Sequence, residues 1–229
     1  MARQKGHVKY VGTIGDIRHF KIKGQTGYFA GLTGGPTGEQ VATAPAFERT
    51  RENMNEFGGS AKASRAVRSV FSSVLGKMSD SQLTGRLTAV MKKINLEDQS
   101  EPRGYRAILI SQQRKYLAGI TFNKNANFNS CMKAGADLVK NVKRGIADYS
   151  VAAFKPLDDI NAPAGSTHFR LIFGLGVLSD FAYNATSDTY EAIKPDFHEL
   201  SAVTYSDYLA LNAPIPDTVL NADVDTEDP

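Results

Sequence analysis

The sequence has one cysteine, Cys131, in 229 residues. No disulfide can close within the chain, and a reducing compartment is the expectation. No apolar run approaches the ~20 residues that a membrane-spanning helix needs. The opening MARQKGHVKYVG is basic but has no apolar stretch behind it, so no secretory signal is expected and the chain reads as cytoplasmic. In that setting the sequon Asn184-Ala185-Thr186 has no meaning.

Catalytic signatures are missing too. The four histidines, His7, His19, His168 and His198, show no metal-ligand spacing with cysteine or carboxylates. No serine sits in a Gly-x-Ser-x-Gly elbow. Ser166-Thr167-His168 brings hydroxyls near an imidazole, but neighbours on a strand point to opposite faces. The glycine-rich Gly31–Gly38 lacks the Gly-Lys-Ser/Thr ending of a phosphate-binding loop. Phe173-Gly174-Leu175-Gly176 lacks the third glycine of a dinucleotide fingerprint. Asp158-Asp159 reads as a loop feature, and Asp223, Asp225, Glu227 and Asp228 as a solvated tail rather than a cation site. The expectation is no enzyme, no cofactor, no metal and no small-molecule substrate.

Basic residues are also scarce in one region, the carboxyl-terminal part. Of the 27 Lys and Arg, 24 lie in residues 1–149, against 11 of the 24 Asp and Glu. Residues 1–149 are therefore +13 and residues 150–229 are −10. Opposite fields on two regions attract within one molecule or head-to-tail between copies. A basic half also suits nucleic acid.

The strongest pattern lies in 45–75. Ala63, Val67, Val70, Phe71, Val74 and Leu75 form an apolar stripe of helical period. Pro45 suits a first helical turn. Gly58-Gly59 is expected to break this helix, with Ser60 capping the next. A further helix is expected from Ser79, where Ser79–Gln82 fits a capping box, with Leu83, Leu87, Val90, Met91 and Ile94 on its apolar side. Arg49, Arg51, Lys62, Arg65 and Arg68 form the basic face. As a solvated helix surface this run needs no function; as a binding surface it is the sharpest feature of the chain.

Residues 6–30 read as a β-hairpin arm turning at Gly24–Gly27. Its apolar residues, Tyr10, Phe20, Ile22, Tyr28 and Phe29, have to dock on something, because an isolated hairpin is marginal in water. After Glu101-Pro102-Arg103-Gly104, strands are expected at 105–110, 116–122, 127–132, 146–154, 167–173, 181–183, 189–193 and 202–211, with 136–142 ambiguous. Short strands at near-regular spacing predict an antiparallel sandwich. The fold class is α+β: an arm and glycine-rich loop over 1–43, a short helical segment over 44–100, a carboxyl-terminal antiparallel β-sandwich over 101–213, and an acidic tail over 214–229 expected to be disordered.

MARQKG, Gly12-Thr13-Ile14-Gly15-Asp16, Phe20, Gly27-Tyr28, Pro45-Ala46-Phe47, Arg49-Thr50-Arg51-Glu52-Asn53, Glu56-Phe57-Gly58 and Ala162–Phe169 resemble a family of uncharacterised bacterial proteins. The resemblance runs over most of the chain. It implies no export signal, no known catalytic residue and no established activity. It also implies that members continue beyond the point where this sequence stops.

These features favour a self-assembling structural subunit of a filament, tube, shell or phage-like particle. The hairpin would add to a neighbour's sheet edge, and the basic helix face would meet the acidic half of the next copy. The alternative is a nucleic-acid-binding protein using the basic face with Lys92 and Lys93. A ligand-binding sandwich or an enzyme ranks third.

Overall fold

A computed structural model of the protein describes residues 2–140 and 145–224. The chain divides into two compact units, Met1–Arg51 and Glu52–Pro229.

In the first unit, Ile14 and Ile17 face each other across the two-residue turn Gly15-Asp16, with Gly15 at φ 56°. Glycine at the first central position suits such a hairpin turn, because a positive φ there costs it nothing. The turn joins β2 (Gly12–Ile14) to β3 (Ile17–Phe20), and with β1 (Ala2–Arg3) and β4 (Phe29–Leu32) these form one antiparallel sheet in the order β1-β4-β3-β2. The expected hairpin around Gly24–Gly27 is there as β3 and β4, with Phe20 opposite Phe29; β1 and β2 widen it into a sheet. Then comes α1 (Gly38–Thr43), with a complete capping box: the Thr37 hydroxyl accepts from the Gln40 N–H and the Gln40 side chain accepts from the Thr37 N–H. A 3₁₀ turn, Pro45–Phe47, follows, with proline where its missing N–H costs nothing.

Helix α2, Glu48–Val70, runs 23 residues without interruption. The break expected at Gly58-Gly59 is absent. Each glycine costs a helix interior about 1 kcal/mol relative to alanine, and packing at Gly59 overrides that cost, since the Tyr190 ring lies against the helix there. Ser60 is not a cap; its hydroxyl donates to the Glu56 carbonyl one turn back, at 2.8 Å. The break comes at Phe71 (φ −108°, ψ 19°), followed by α3 (Ser72–Met78) and α4 (Leu83–Glu97). Ser79 does not cap α4 either, because its hydroxyl donates to the Leu75 carbonyl, while the Asp80 side chain accepts from the Gln82 N–H.

The expected stripe is buried at Ala63, Val67, Val70, Val74 and Leu75, and half-buried at Phe71. Ala63, Val67 and Leu75 of the stripe join Leu83, Leu87, Met91 and Ile94 of α4 in one core, closed by Ile108, Ile110, Phe181 and Tyr190, with Phe71 packed against it. Each large side chain withdrawn from water here contributes about 2 kcal/mol.

Three expected strands are not strands. Residues 105–110 are irregular, joined to Phe181 by one bridge at Ile108. Side chains satisfy their backbone in place of a ladder: Asp98 accepts from the Ala107 N–H and the Tyr190 hydroxyl donates to the Arg106 carbonyl. Within 116–122, Tyr116 ends a 3₁₀ turn, Arg114–Tyr116, and 117–122 are turn and irregular chain, while 127–132 hold a short helix, α5 (Phe128–Cys131), capped by Asn127.

The remaining elements are β5 (Ala136–Lys140), β6 (Ile146–Val151), α6 (Pro156–Asp159), β7 (His168–Phe169), β8 (Ile172–Val177), β9 (Phe181–Asn184), β10 (Thr189–Ala192), β11 (Leu200–Tyr205), β12 (Leu209–Ala210) and β13 (Thr218–Asp223). All their pairings are antiparallel, in small separate sheets: β13-β6-β5, β11-β8, β12-β7 and β10-β9. The protein is thus a mixed α+β chain whose strands are not gathered into two continuous layers. A second core, with Met132, Val151, Phe154, Leu171, Ile215 and Leu220, lies among these sheets, and Tyr149 stacks on Phe173 at 5.6 Å.

The tail expected to be disordered from 214 is ordered over its first part. Ile215 bridges Phe154, and Thr218–Asp223 pairs along the whole of β6, with Leu220 and Ala222 buried. Alternation of Leu220 and Ala222 with Val219, Asn221 and Asp223 gives it one apolar face, which its acidity masked. Asp225, Glu227 and Asp228, like residues 141–142 of the ambiguous segment, lie outside the described residues.

Candidate assembly surfaces

The five arm residues fall in three places. Phe20 and Phe29 stack at 6.2 Å on one face of the amino-terminal sheet, with the Arg18 guanidinium 5.7 Å from the Phe20 ring. Ile22 and Tyr28 lie half-buried in the connection between β3 and β4, where Lys21 sits 4.5 Å over the Tyr28 ring. Tyr10 is exposed and held through its backbone, which both donates to and accepts from the Gln4 side chain.

The opposite face of that sheet carries residues that the hairpin reading missed. Ile14, Ile17 and Leu32 stand in register across β2, β3 and β4, and all three are exposed, Leu32 at 81%. Among the described residues of 2–51 none is buried. The signal was the Gly15-Asp16 pair between isoleucines, a two-residue turn that fixes this register.

Strand β2 is an edge. Its closing pair, Ile14–Ile17, is joined by the turn's own hydrogen bond. Antiparallel pairs alternate between bonded and non-bonded, so Thr13, in the next pair with Arg18, turns its N–H and C=O outward. The edge carries no lysine and no proline, the usual devices against strand addition.

The residues of the expected basic face are engaged in different ways. Arg51 donates to the Val41 and Ala44 carbonyls, both at 2.9 Å, tying α1 to the start of α2. Arg49 is exposed in the same unit and engaged in an interaction of its own. Lys62 donates to the Thr189 hydroxyl and the Tyr190 carbonyl. Arg65 is exposed on α2, and Arg68, half-buried, lines an open cleft of about 260 Å³ with Ser72, Ser79 and Thr84.

The most enclosed polar cluster centres on Glu56, 1% exposed. Its carboxylate pairs with Lys92, accepts from the Gly104 N–H at 2.8 Å and has the Arg106 Nε at 3.9 Å. Nearby, Arg103 pairs with Glu52 at 3.2 Å, and the Asn55 side chain donates to the Gly104 carbonyl. The cluster fastens the 101–106 segment onto α2. Each of these charged groups has a partner of opposite charge. Desolvation pushes the Tyr190 hydroxyl far above its ordinary value, so it stays a neutral donor. Burial pushes the Asp98 carboxyl up, but hydrogen bonds from Ser100 and Ala107 bring it below the ordinary range.

No group of three or more His, Cys, Asp or Glu among the described residues is arranged to hold a metal. Contrary to the strand argument, the His168 Nδ1 does lie 3.0 Å from the Thr167 hydroxyl, on the exposed surface. His198 lies 3.7 Å from Glu199 and accepts from the Ser179 N–H. No described helix is long and apolar enough to cross a membrane. Compared with family models, curated proteins and solved structures, the chain matches none.

Proposed function

We propose that the protein is a non-enzymatic, self-assembling structural subunit that joins copies of itself through its amino-terminal sheet. The observation that carries this reading is the pairing of an apolar row, Ile14, Ile17 and Leu32, with an open strand edge at Thr13, in a unit whose described residues include no buried one. A sheet so short of core gains stability by burying that row and pairing that edge. Addition to a neighbour's strand supplies main-chain hydrogen bonds, and the row supplies apolar area. The +13 and −10 regions favour head-to-tail order. In the same reading the β13-β6-β5 and β11-β8 sheets, which share the second core, are the layers of the sandwich body, and the protein works in the cytoplasm.

The nucleic-acid reading has less support, because Arg51 and Lys62 are spent on carbonyls of the same chain.

Light scattering during size-exclusion chromatography tests the proposal. Wild type is expected to form oligomers that grow with concentration. Thr13→Pro, which removes the outward N–H while leaving the Ile14–Ile17 turn, is expected to weaken them at least tenfold without lowering Tm. A Thr13→Pro protein that assembles like wild type would overturn strand addition.

A further inference from the structure

Helix α2 has a second side that the apolar stripe does not use. Met54, Phe57, Gly58, Ala61 and Arg65 fall at i, i+3, i+4, i+7 and i+11, one face of a helix. Met54 and Phe57 are 60% and 59% exposed, and Arg65 is exposed at the far end, with Lys62 beside it. Gly58 is the informative residue here. A Cβ at Gly58 would meet nothing within 4 Å, whereas at Gly59 it would collide with Tyr190. Among the described residues no packing contact explains a glycine at this unfavourable mid-helix position. A surface that must approach the helix backbone closely does explain it.

The sheet β13-β6-β5 offers the complementary surface. Its inner face carries buried Ala147, Val151, Leu220 and Ala222. By strand alternation Asp137, Asp148 and Asp223 lie on the outer face, with Val139 and Val219 among them, and among the described residues of these strands no lysine or arginine occupies an outward position. Val139 and Val219 are 55% and 61% exposed. One surface is therefore apolar with a cationic end, and the other is apolar with carboxylates.

We infer that these two surfaces dock on one another between copies: the Met54–Phe57–Gly58–Ala61 face of α2 lies on the outer β13-β6-β5 face of the next copy, with Arg65 against its aspartates. The inference rests on the assembly reading and names its body-to-body contact. Two different patches make the contact heterologous, so it repeats into a ring or an open filament according to its rotation. Gly58 admits the sheet close to the helix backbone, and the valines cover Met54 and Phe57. Partial desolvation strengthens the charge pairs relative to exposed ones.

The test uses full-length protein in three variants: Arg65→Glu, Asp148→Lys with Asp223→Lys, and Gly58→Gln. Each is expected to weaken self-association at least tenfold at low salt, and Gly58→Gln is expected to do so with Tm unchanged or raised. Mixing the first two is expected to restore association, since the intact sheet of one meets the intact helix of the other. Variants that associate like wild type while Thr13→Pro does not would overturn this contact and leave the assembly reading standing. A wild type that stays monomeric at high concentration and low salt would overturn both. A monomer whose Arg65 is instead needed to shift a DNA duplex would overturn the contact in favour of nucleic acid.

Discussion

The Tyr190 ring lies so close to α2 that a Cβ on Gly59 would sit 2.5 Å from its Cγ. Tyr190 belongs to the β9–β10 hairpin, and its hydroxyl reaches past the helix to donate to the Arg106 carbonyl at 2.9 Å. One glycine thus lets a helix, a hairpin and an irregular segment meet. Gly59→Ala is expected to cost about 1–3 kcal/mol, the usual result of forcing a methyl into a packed site. Gly58→Ala, one residue away with open space, is expected to gain up to about 1 kcal/mol. Urea unfolding of the two variants reads the opposite signs; equal effects would show that the ring does not press on the helix.

Glu56 anchors the same region electrostatically. Removing one partner of a buried ion pair strands the other charge, at a cost of about 3–5 kcal/mol. Glu56→Leu is expected to lose that much, because Lys92 loses its carboxylate and the Gly104 N–H its acceptor. Adding Lys92→Met is expected to recover part of the loss, since no lone ammonium then remains there. Urea midpoints of the single and double variants measure it. A double variant less stable than Glu56→Leu alone would mean that Lys92 contributes by packing rather than by charge.

The apolar stripe from Ala63 to Leu75 was legible in the sequence because helical periodicity reports burial directly, and the structure buries it. The uninterrupted helix through Gly58-Gly59 was not, since its cause is Tyr190, more than a hundred residues downstream. Strands expected at 105–110 and 127–132 failed for a related reason. Side chains of Asp98, Tyr190 and Asn127 satisfy backbone groups that a ladder would otherwise have to serve, and apolar content does not report such bonds. Strand β13 was hidden under an acidic composition although its alternation was there to be read. At the candidate surfaces, the charge of Arg51 and Lys62 was legible, but their use as donors to carbonyls depends on the fold. The Ile14–Ile17–Leu32 row required the Gly15-Asp16 turn to be placed first.

Asp80 ties the start of α4 to the segment around residue 124. Its carboxylate accepts from Arg86 at 2.8 and 2.9 Å and from the Lys124 and Gln82 N–H groups. The Arg86 hydrogen bond, with the Lys124 N–H next, holds the Asp80 carboxyl far below the usual carboxylate range. A depressed folded-state pKa adds stability that is full above the unfolded value, about 3.9, and is lost as pH falls toward the folded one. Wild-type Tm is therefore expected to drop between about pH 5 and pH 2, and Asp80→Asn to lower Tm at neutral pH and flatten that drop. Thermal scans across this range compare the two. Parallel curves would mean that the acid sensitivity originates elsewhere.

The exposed row on the amino-terminal sheet yields the most direct separation of folding from assembly. Leu32 is 81% exposed and opposite Ile17, so Leu32→Ser removes little that the solitary subunit buries. Surface changes of this kind typically move stability by no more than about 0.5 kcal/mol. If the row is covered by a second copy, the same change forfeits roughly 2 kcal/mol of burial at each contact, about a thirtyfold rise in the association Kd at 1.4 kcal/mol per decade. Ile17→Ser is expected to behave alike, with a larger cost to the sheet because Ile17 lies on β3, between β2 and β4. Sedimentation velocity over a concentration series measures the Kd, and thermal scans at the lowest concentration measure the fold. Leu32→Ser with an unmoved Kd would remove the row from the interface and leave strand addition at Thr13 to account for assembly alone.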